Sequence, residues 1–275
     1  MSEDKQRILV FGATGQQGGS VAAALLAAGW PVRALVRDPA SSKAVALHDA
    51  GVELAHGDLN DPASVRAAMA GVHGVFSVQT SSPSGQISDE EEVRYGITVA
   101  DAVAESGVTH LVYSSGAGVG DTPTDVGHYD SKMRIEAHIW TLPITATIVR
   151  PVTFMELLVM PGFGLDEGRF SFFARADQPV QVLAVDDIGK FVAAIFADPA
   201  SFGGEALEIA SDSVTGSDLE AAFTEAAARP IPYARIPDEV LEANPFLGKL
   251  AALVDDGRLA GNADLGRCAA SIQRC

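Results

Sequence analysis

The sequence predicts an α/β fold: a doubly wound parallel sheet with a smaller C-terminal α/β lobe. Two observations carry this. Apolar, β-branched runs alternate with alanine- and leucine-rich runs through the first 150 residues, with short links between them. A glycine-rich stretch, FGATGQQGGS (11–20), lies directly behind the first apolar run, RILVF. Such alternation builds a parallel sheet covered on both faces by right-handed crossovers.

The elements follow in order. RILVFG (7–12) reads as a strand and GSVAAALLAAG (19–29) as a helix stopped by its glycine. PVRALVR (31–37) alternates as a strand, and SKAVALHDAG (42–51) is helical to Gly51. VELAHGD (52–58) is a strand, and DPASVRAAMAG (61–71) a helix that Asp61 caps and Pro62 enters. GVFSVQT (74–80) is a strand, and EEEVRYGITVADAVAESG (90–107) a long helix with acids in its first turn. HLVYSS (110–115), HYDSKMRIEAHIWTL (128–142) and ITATIVRP (144–151) read as strand, helix and strand.

After Pro151 the rhythm changes. Glycine, proline and phenylalanine cluster in MPGFGLDEGRFSFF (160–173), where Phe170, Phe172 and Phe173 suit either a pocket wall or a small core. VQVLAVDDIGKFVAAIFADP (180–199) reads as strand and helix, with Asp186 and Asp187 expected to cap the helix. EALEIAS (205–211) is a strand and GSDLEAAFTEAAA (216–228) an amphipathic helix. Residues 1–151 are expected to form a nucleotide-binding core. Residues 152–275 form a smaller substrate or partner lobe, of which part of 180–211 folds back on the core.

Composition excludes several classes. The chain has 275 residues, 47% of them hydrophobic, ample for a core. It has no apolar run of about 18 residues, so no membrane span is expected. MSEDKQ lacks the basic start and apolar stretch of a signal peptide. Cys268 and Cys275 are too near the end to staple the fold and are expected in a mobile tail; a cytoplasmic location follows. A net charge of −17 opposes sequence-independent binding to nucleic acid. His48, His56, His73, His110 and His138 show no metal-ligand spacing, so no metal is assigned.

Gly12, Gly15 and Gly18 form G-x-x-G-x-x-G between strand and helix. The first glycine permits the tight turn, the second lets backbone approach a pyrophosphate, and the third lets helix and sheet pack closely. The helix N-terminus then offers free N–H groups to phosphate. At the end of the second strand, where NAD-binding proteins place an acid, stands Arg37, followed by Asp38. Arginine suits a 2′-phosphate, with Lys43 near enough to help, and NADP(H) is favoured over NAD(H). Asp38 is the counter-argument, although with Pro39 it reads as the start of a turn.

These residues, with GD at 57–58, VYSS at 112–115, HYDSK at 128–132, RPVTFMELL at 150–158 and VDDIG at 185–189, resemble the NmrA-like family of atypical short-chain dehydrogenases, in particular its HSCARG-type members. The resemblance spans about two thirds of the chain. It implies a Rossmann core, NADP(H), and either NADPH-dependent reduction or non-catalytic redox sensing with a regulated partner protein. It implies cofactor contacts from Gly12, Thr14, Gly15, Gln16, Gln17 and Gly18 at the pyrophosphate, and from Arg37 at the 2′-phosphate. Asp58 and Leu59 would flank adenine. Gln79 and Thr80 would lie along the nicotinamide side, Lys132 at the nicotinamide ribose and Phe154 beside the nicotinamide. Two departures stand out. Phe154-Met155-Glu156 replaces the F-E-N of those members, and GRCAASIQRC lacks an aromatic-rich final helix, so the lobe is expected to be shortened or its end disordered.

Catalysis turns on HYDSK. Short-chain dehydrogenases place tyrosine four residues before lysine, on one helix face. The lysine lowers the phenol pKa for proton exchange during hydride transfer. Here position 128 is histidine. Three donors are open: His128, Tyr129, or water held by Lys132. Histidine, with an ordinary pKa of about 6.5, can donate near neutrality. Ser114 and Ser115 occupy the place of the carbonyl-polarising serine. The structural alternatives are that Lys132 only binds ribose, that the serines cap a turn, and that SDEEE (88–92) is a solvated first turn. Two functions remain: a reductase of a quinone or conjugated carbonyl, and a sensor acting on a protein partner. Helices 90–107 and 128–142 can also pair across a two-fold axis in a homodimer.

Overall fold

A computed structural model describes residues 6–272. The first half runs β1 (Ile8–Val10), α1 (Gln16–Ala27), β2 (Val32–Val36), α2 (Ser42–Asp49), β3 (Glu53–His56), α3 (Pro62–Ala68), β4 (Gly74–Ser77), α4 (Asp89–Ser106), β5 (His110–Ser114), α5 (Gly127–Ile139) and β6 (Ala146–Pro151). There follow β7 (Thr153–Phe154), α6 (Met155–Leu158), β8 (Phe170–Phe172), β9 (Val180–Leu183), α7 (Val185–Ala197), α8 (Pro199–Phe202), β10 (Ala206–Ile209), β11 (Asp212–Val214) and α9 (Gly216–Ala227). The chain closes with β12 (Tyr233–Arg235), α10 (Asp238–Ala243), α11 (Pro245–Asp255) and α12 (Leu265–Ile272).

The central sheet has the order β10-β6-β5-β4-β1-β2-β3, with every neighbouring pair parallel. Its strands feed alternate residues to opposite faces. Ile8, Val10, Phe76, Val112 and Val149 pack with α1 and α7 on one face. Leu9, Val75, Leu111 and Ile148 pack with α3, α4 and α5 on the other. This two-sided burial explains why the strands read as near-continuous apolar runs. The strand order reverses between β1 and β4, which opens a crevice at their carboxyl ends.

Residues after Pro151 contribute to the same layers. α7 lies along α1, tied by Ser20, whose Oγ donates to the Asp186 carbonyl and accepts from the Gly189 N–H. β10 pairs with β6 at the sheet edge. The remaining strands form a three-stranded sheet, β11-β9-β7, and the pair β12-β8. Phe170, Phe172 and Phe173 belong to the buried core of this lobe, with Leu219, Ile231 and Leu241.

Four expectations are corrected. α1 begins at Gln16, so Gly18 and Gly19 are helical; packing outweighs their poor propensity. Asp186 and Asp187 do not cap α7, whose N-cap is Ala184. Instead Glu156 Oε1 accepts the Val185 N–H, and Asp187 bonds Lys190 and Ser211. Cys268 does not lie in a loose tail: α12 packs on α7 and buries it, and burial pushes its thiol up. Cys275 and residues 1–5 lie outside the described residues. Finally, SDEEE is only partly solvated. Ser88 and Glu91 form a reciprocal cap, but Glu92 is buried. Among the described residues no helix is long and apolar enough to cross a membrane, and no group of three or more His, Cys, Asp or Glu side chains is arranged to hold a metal ion.

Candidate functional site

The crevice is built first from backbone. Gly12 has φ +71°, and a Cβ there would lie 2.7 Å from Val78 Cγ1, so the turn after β1 touches the loop after β4. At Gly18 a Cβ would meet the Gly12 carbonyl at 2.4 Å. Only hydrogen fits at that crossing, which seats α1 directly on the turn. Gly15 is the helix N-cap, without a side-chain cap and with no acid in the first turn. The N–H groups of Gln16, Gln17 and Gly18 therefore keep the free donors of a helix start, with the positive end of its dipole.

The β2 side of the crevice is cationic. Arg37 and Lys43 are exposed, and neither side chain pairs with another described residue. Most other basic side chains are paired, as Arg33 is with Glu53 and Arg150 with Glu136. Lys43 moreover sits in the first turn of α2, where a cation is disfavoured by the dipole. Asp38 is engaged in the local turn: its Oδ1 accepts the Ala40 N–H, and its carbonyl accepts from Ser41, the N-cap of α2. Asp58 is likewise occupied with Asn60, while Leu59 packs on the core.

After β4, Gln79 is buried. Its amide donates to Ser77 Oγ, and its Oε1 has no partner. Thr80 is exposed, as is Thr14. Gln17 reaches across the crevice and accepts from Ser114 Oγ at 2.6 Å. Ser115 is buried with its Oγ unsatisfied. Phe154 is half-buried against the core at the base of α6.

The α4–α5 side differs in kind. Lys132 Nζ donates to Glu92 Oε1 at 2.5 Å, to Ser81 Oγ at 3.1 Å and to the His128 carbonyl at 3.1 Å. Glu92 is 1% exposed, and its second oxygen accepts from Ser131 Oγ. One turn further along α5, Glu136 takes a two-pronged bond from Arg150 on β6. Beneath them lies Tyr113, whose phenol is held neutral by burial and by the nearby Glu92 and Glu136. Gly96 of α4 lets Ile135 of α5 close in, which brings the two helices near enough for the Glu92–Lys132 pair.

Burial shifts both side-chain proton donors expected from HYDSK. Burial, helped by the Lys132 charge, pushes His128 down to about 4, so its ring is neutral at pH 7. This corrects the expectation of an ordinary imidazole. The ring lies between Tyr129, at 4.2 Å, and Phe246 of α11, at 6.0 Å. Burial pushes the Tyr129 phenol up to about 12. Both Tyr129 and Lys132 border Gly116, two residues beyond β5.

Two residues of the site, Glu92 and Ser81, were not singled out in the sequence. Glu92 looked like one more acid in a charged run, but it lies on the stripe of Tyr95, Gly96, Val99 and Val103 at helical spacing, and a charge on a buried stripe was the available signal. Ser81 carried no local signal, while Glu156, a departure from the family pattern in the sequence, caps α7.

A family model described as the NmrA-like family matches residues 4–260. An NAD(P)H azoreductase from Xenophilus azovorans is 30% identical over 250 residues, covering 90% of this chain and 84% of its own. Two solved structures share the fold at 23% identity. They are triphenylmethane reductase from Citrobacter sp. complexed with NADP(H), with TM-score 0.78 and coverage of 98% and 94%, and NmrA, a negative transcriptional regulator, in complex with NADP, with TM-score 0.75 and coverage of 99% and 91%.

Proposed function

The chain belongs to the NmrA-like family, and on that footing we propose that it is an NADPH-dependent reductase whose acceptor, a quinone or comparably conjugated molecule, needs no proton from the protein. The crevice suits a dinucleotide: the tight turn at Gly12, with Gly18 packed on it, presents the uncapped α1 N-terminus to a pyrophosphate. Gln79 Oε1 is an acceptor without a partner among the described residues, and by the family resemblance Lys132 and Phe154 would face the nicotinamide half. The unpaired Arg37 and Lys43 favour the 2′-phosphate of NADP(H) over the bare ribose of NAD(H). When bound, the nicotinamide supplies hydride.

One observation carries the choice of acceptor: burial leaves the α4–α5 side with neither an imidazolium nor an acidified phenol near pH 7. His128 is already neutral, Tyr129 holds its proton to about pH 12, and the Lys132 donors all have acceptors. A simple ketone needs a proton at oxygen as hydride arrives. A quinone does not, because its reduced oxygens are stabilised by conjugation and take up protons from water. The Xenophilus relative is an NAD(P)H azoreductase, and an azo compound is such a conjugated acceptor.

The same locked side also favours a second reading, an NADP(H) sensor that regulates a protein partner. Leu157, Val159 and Met160, directly behind Phe154, are exposed apolar residues available to such a partner. NADPH oxidation against quinones, azo dyes and simple ketones, with NADH in parallel, separates the readings. Turnover confined to conjugated acceptors supports the reductase. Turnover of simple ketones overturns the proton argument, and tight NADPH binding without turnover moves the weight to the sensor.

A further inference from the structure

An ammonium has three donors, and all three of Lys132 are occupied by the protein itself. The three acceptors are not alike. Glu92 is borne by α4, is buried, and is held in turn by Ser131. The His128 carbonyl is backbone of α5 itself. Ser81 belongs to the connection between β4 and α4, beside the exposed Thr80. Two partners are thus fixed to packed helices, and the third is a hydroxyl on a loop that borders the crevice.

A hydroxyl is also what a ribose would present to this lysine. On the sheet, Lys132 lies on the β5 side of the β1–β4 reversal and Arg37 on the β2 side, so the halves of a dinucleotide across the crevice fall to different residues. We infer that Glu92 is a positioning residue, which with the His128 carbonyl aims the third Lys132 donor into the crevice, and that Ser81 Oγ occupies the place a ribose hydroxyl takes. This rests on the dinucleotide reading given above.

The inference assigns opposite effects to two neighbours. Without the Glu92 charge, the lysine loses its orientation and binds ribose poorly. Without the Ser81 hydroxyl, ribose has no competitor. Neither change reaches the Arg37 side.

The test is equilibrium titration of the full chain with NADPH and, separately, with adenosine 2′,5′-bisphosphate, which carries only the Arg37-side half. Glu92→Gln is expected to weaken NADPH about tenfold, the scale of one lost charge-assisted bond, while leaving the bisphosphate unchanged. Glu92→Asp restores part of the loss. Ser81→Ala is expected to tighten NADPH by about two- to fivefold, a fraction of one ordinary hydrogen bond. Equal weakening of both ligands by Glu92→Gln would mean a general structural role and overturns the inference, as does wild-type NADPH affinity. Weaker NADPH binding by Ser81→Ala would make Ser81 a ligand contact and overturns its placeholder role. If Glu92→Gln does not fold, Ser81→Ala still decides. Failure of the wild-type chain to bind either ligand defeats the dinucleotide reading itself and the inference with it.

Discussion

The two sides of the crevice handle charge in opposite ways. On the β2 side, Arg37 and Lys43 stand exposed beside a helix start with no side-chain cap. On the α4–α5 side, Lys132 and Arg150 are each locked to a buried glutamate. An unpaired cation keeps its attraction for an anion that arrives from solution. A cation in a buried pair has already spent that attraction and contributes geometry instead. The first side is built to capture, the second to orient.

The contrast can be broken at four points, taken from the largest effect to the smallest. Gly18→Leu drives a side chain into the Gly12 carbonyl. Overpacking against backbone costs about 3 kcal/mol or more, and the turn, the N-terminus of α1 and nucleotide binding should be lost together. Chemical denaturation and NADPH titration of the same variant check this. Retained binding would remove the pyrophosphate placement.

Lys132→Met comes next, because it strands Glu92 without its charge partner. Loss of one member of a buried pair costs about 3–5 kcal/mol. The double variant with Glu92→Met should recover much of that loss, which a denaturation cycle measures. Simple additivity of the two would show that the pair does not act as a unit.

Arg37→Ala should leave stability nearly unchanged, since the side chain has no partner among the described residues. It should weaken NADPH about tenfold or more while sparing NADH. Equal losses for the two nucleotides would remove the 2′-phosphate role and with it the capture side of the comparison.

The smallest effect is an acid limb in stability. His128 and His110 are both pushed down to about 4 by burial. The unfolded chain therefore binds more protons between about pH 6.5 and 4, so their contribution is full above 6.5 and fades as pH falls through that window. His128→Gln should flatten part of the slope in urea midpoints measured from pH 7 to 4. An unchanged slope would show that His128 is not held neutral by its surroundings. Carboxylates that titrate lower contribute at the bottom of the window and are common to both chains.

How much of this was legible in the sequence differs between the same two sides. The β2 side is made of consecutive residues. GATGQQGG, the Arg37 that ends the second strand and the Asp61-Pro62 helix start are local patterns with local causes, and the fold follows from their order. The α4–α5 side is assembled across helices. Glu92 and Lys132 are 40 residues apart, and their meeting depends on Gly96 admitting Ile135, which no single segment reveals. The sequence reading also did not reach α10, α11 and α12, short helices stabilised by docking on the lobe and on α7.

The sequence by itself determined the parallel sheet, the glycine turn and the cation that ends β2, because each is dictated by backbone conformation or by alternation along the chain. Only the tertiary structure decided that His128 is neutral, that Tyr129 keeps its proton and that Lys132 is fully engaged. Those properties come from burial and from partners distant in sequence, and desolvation acts through space rather than along the chain.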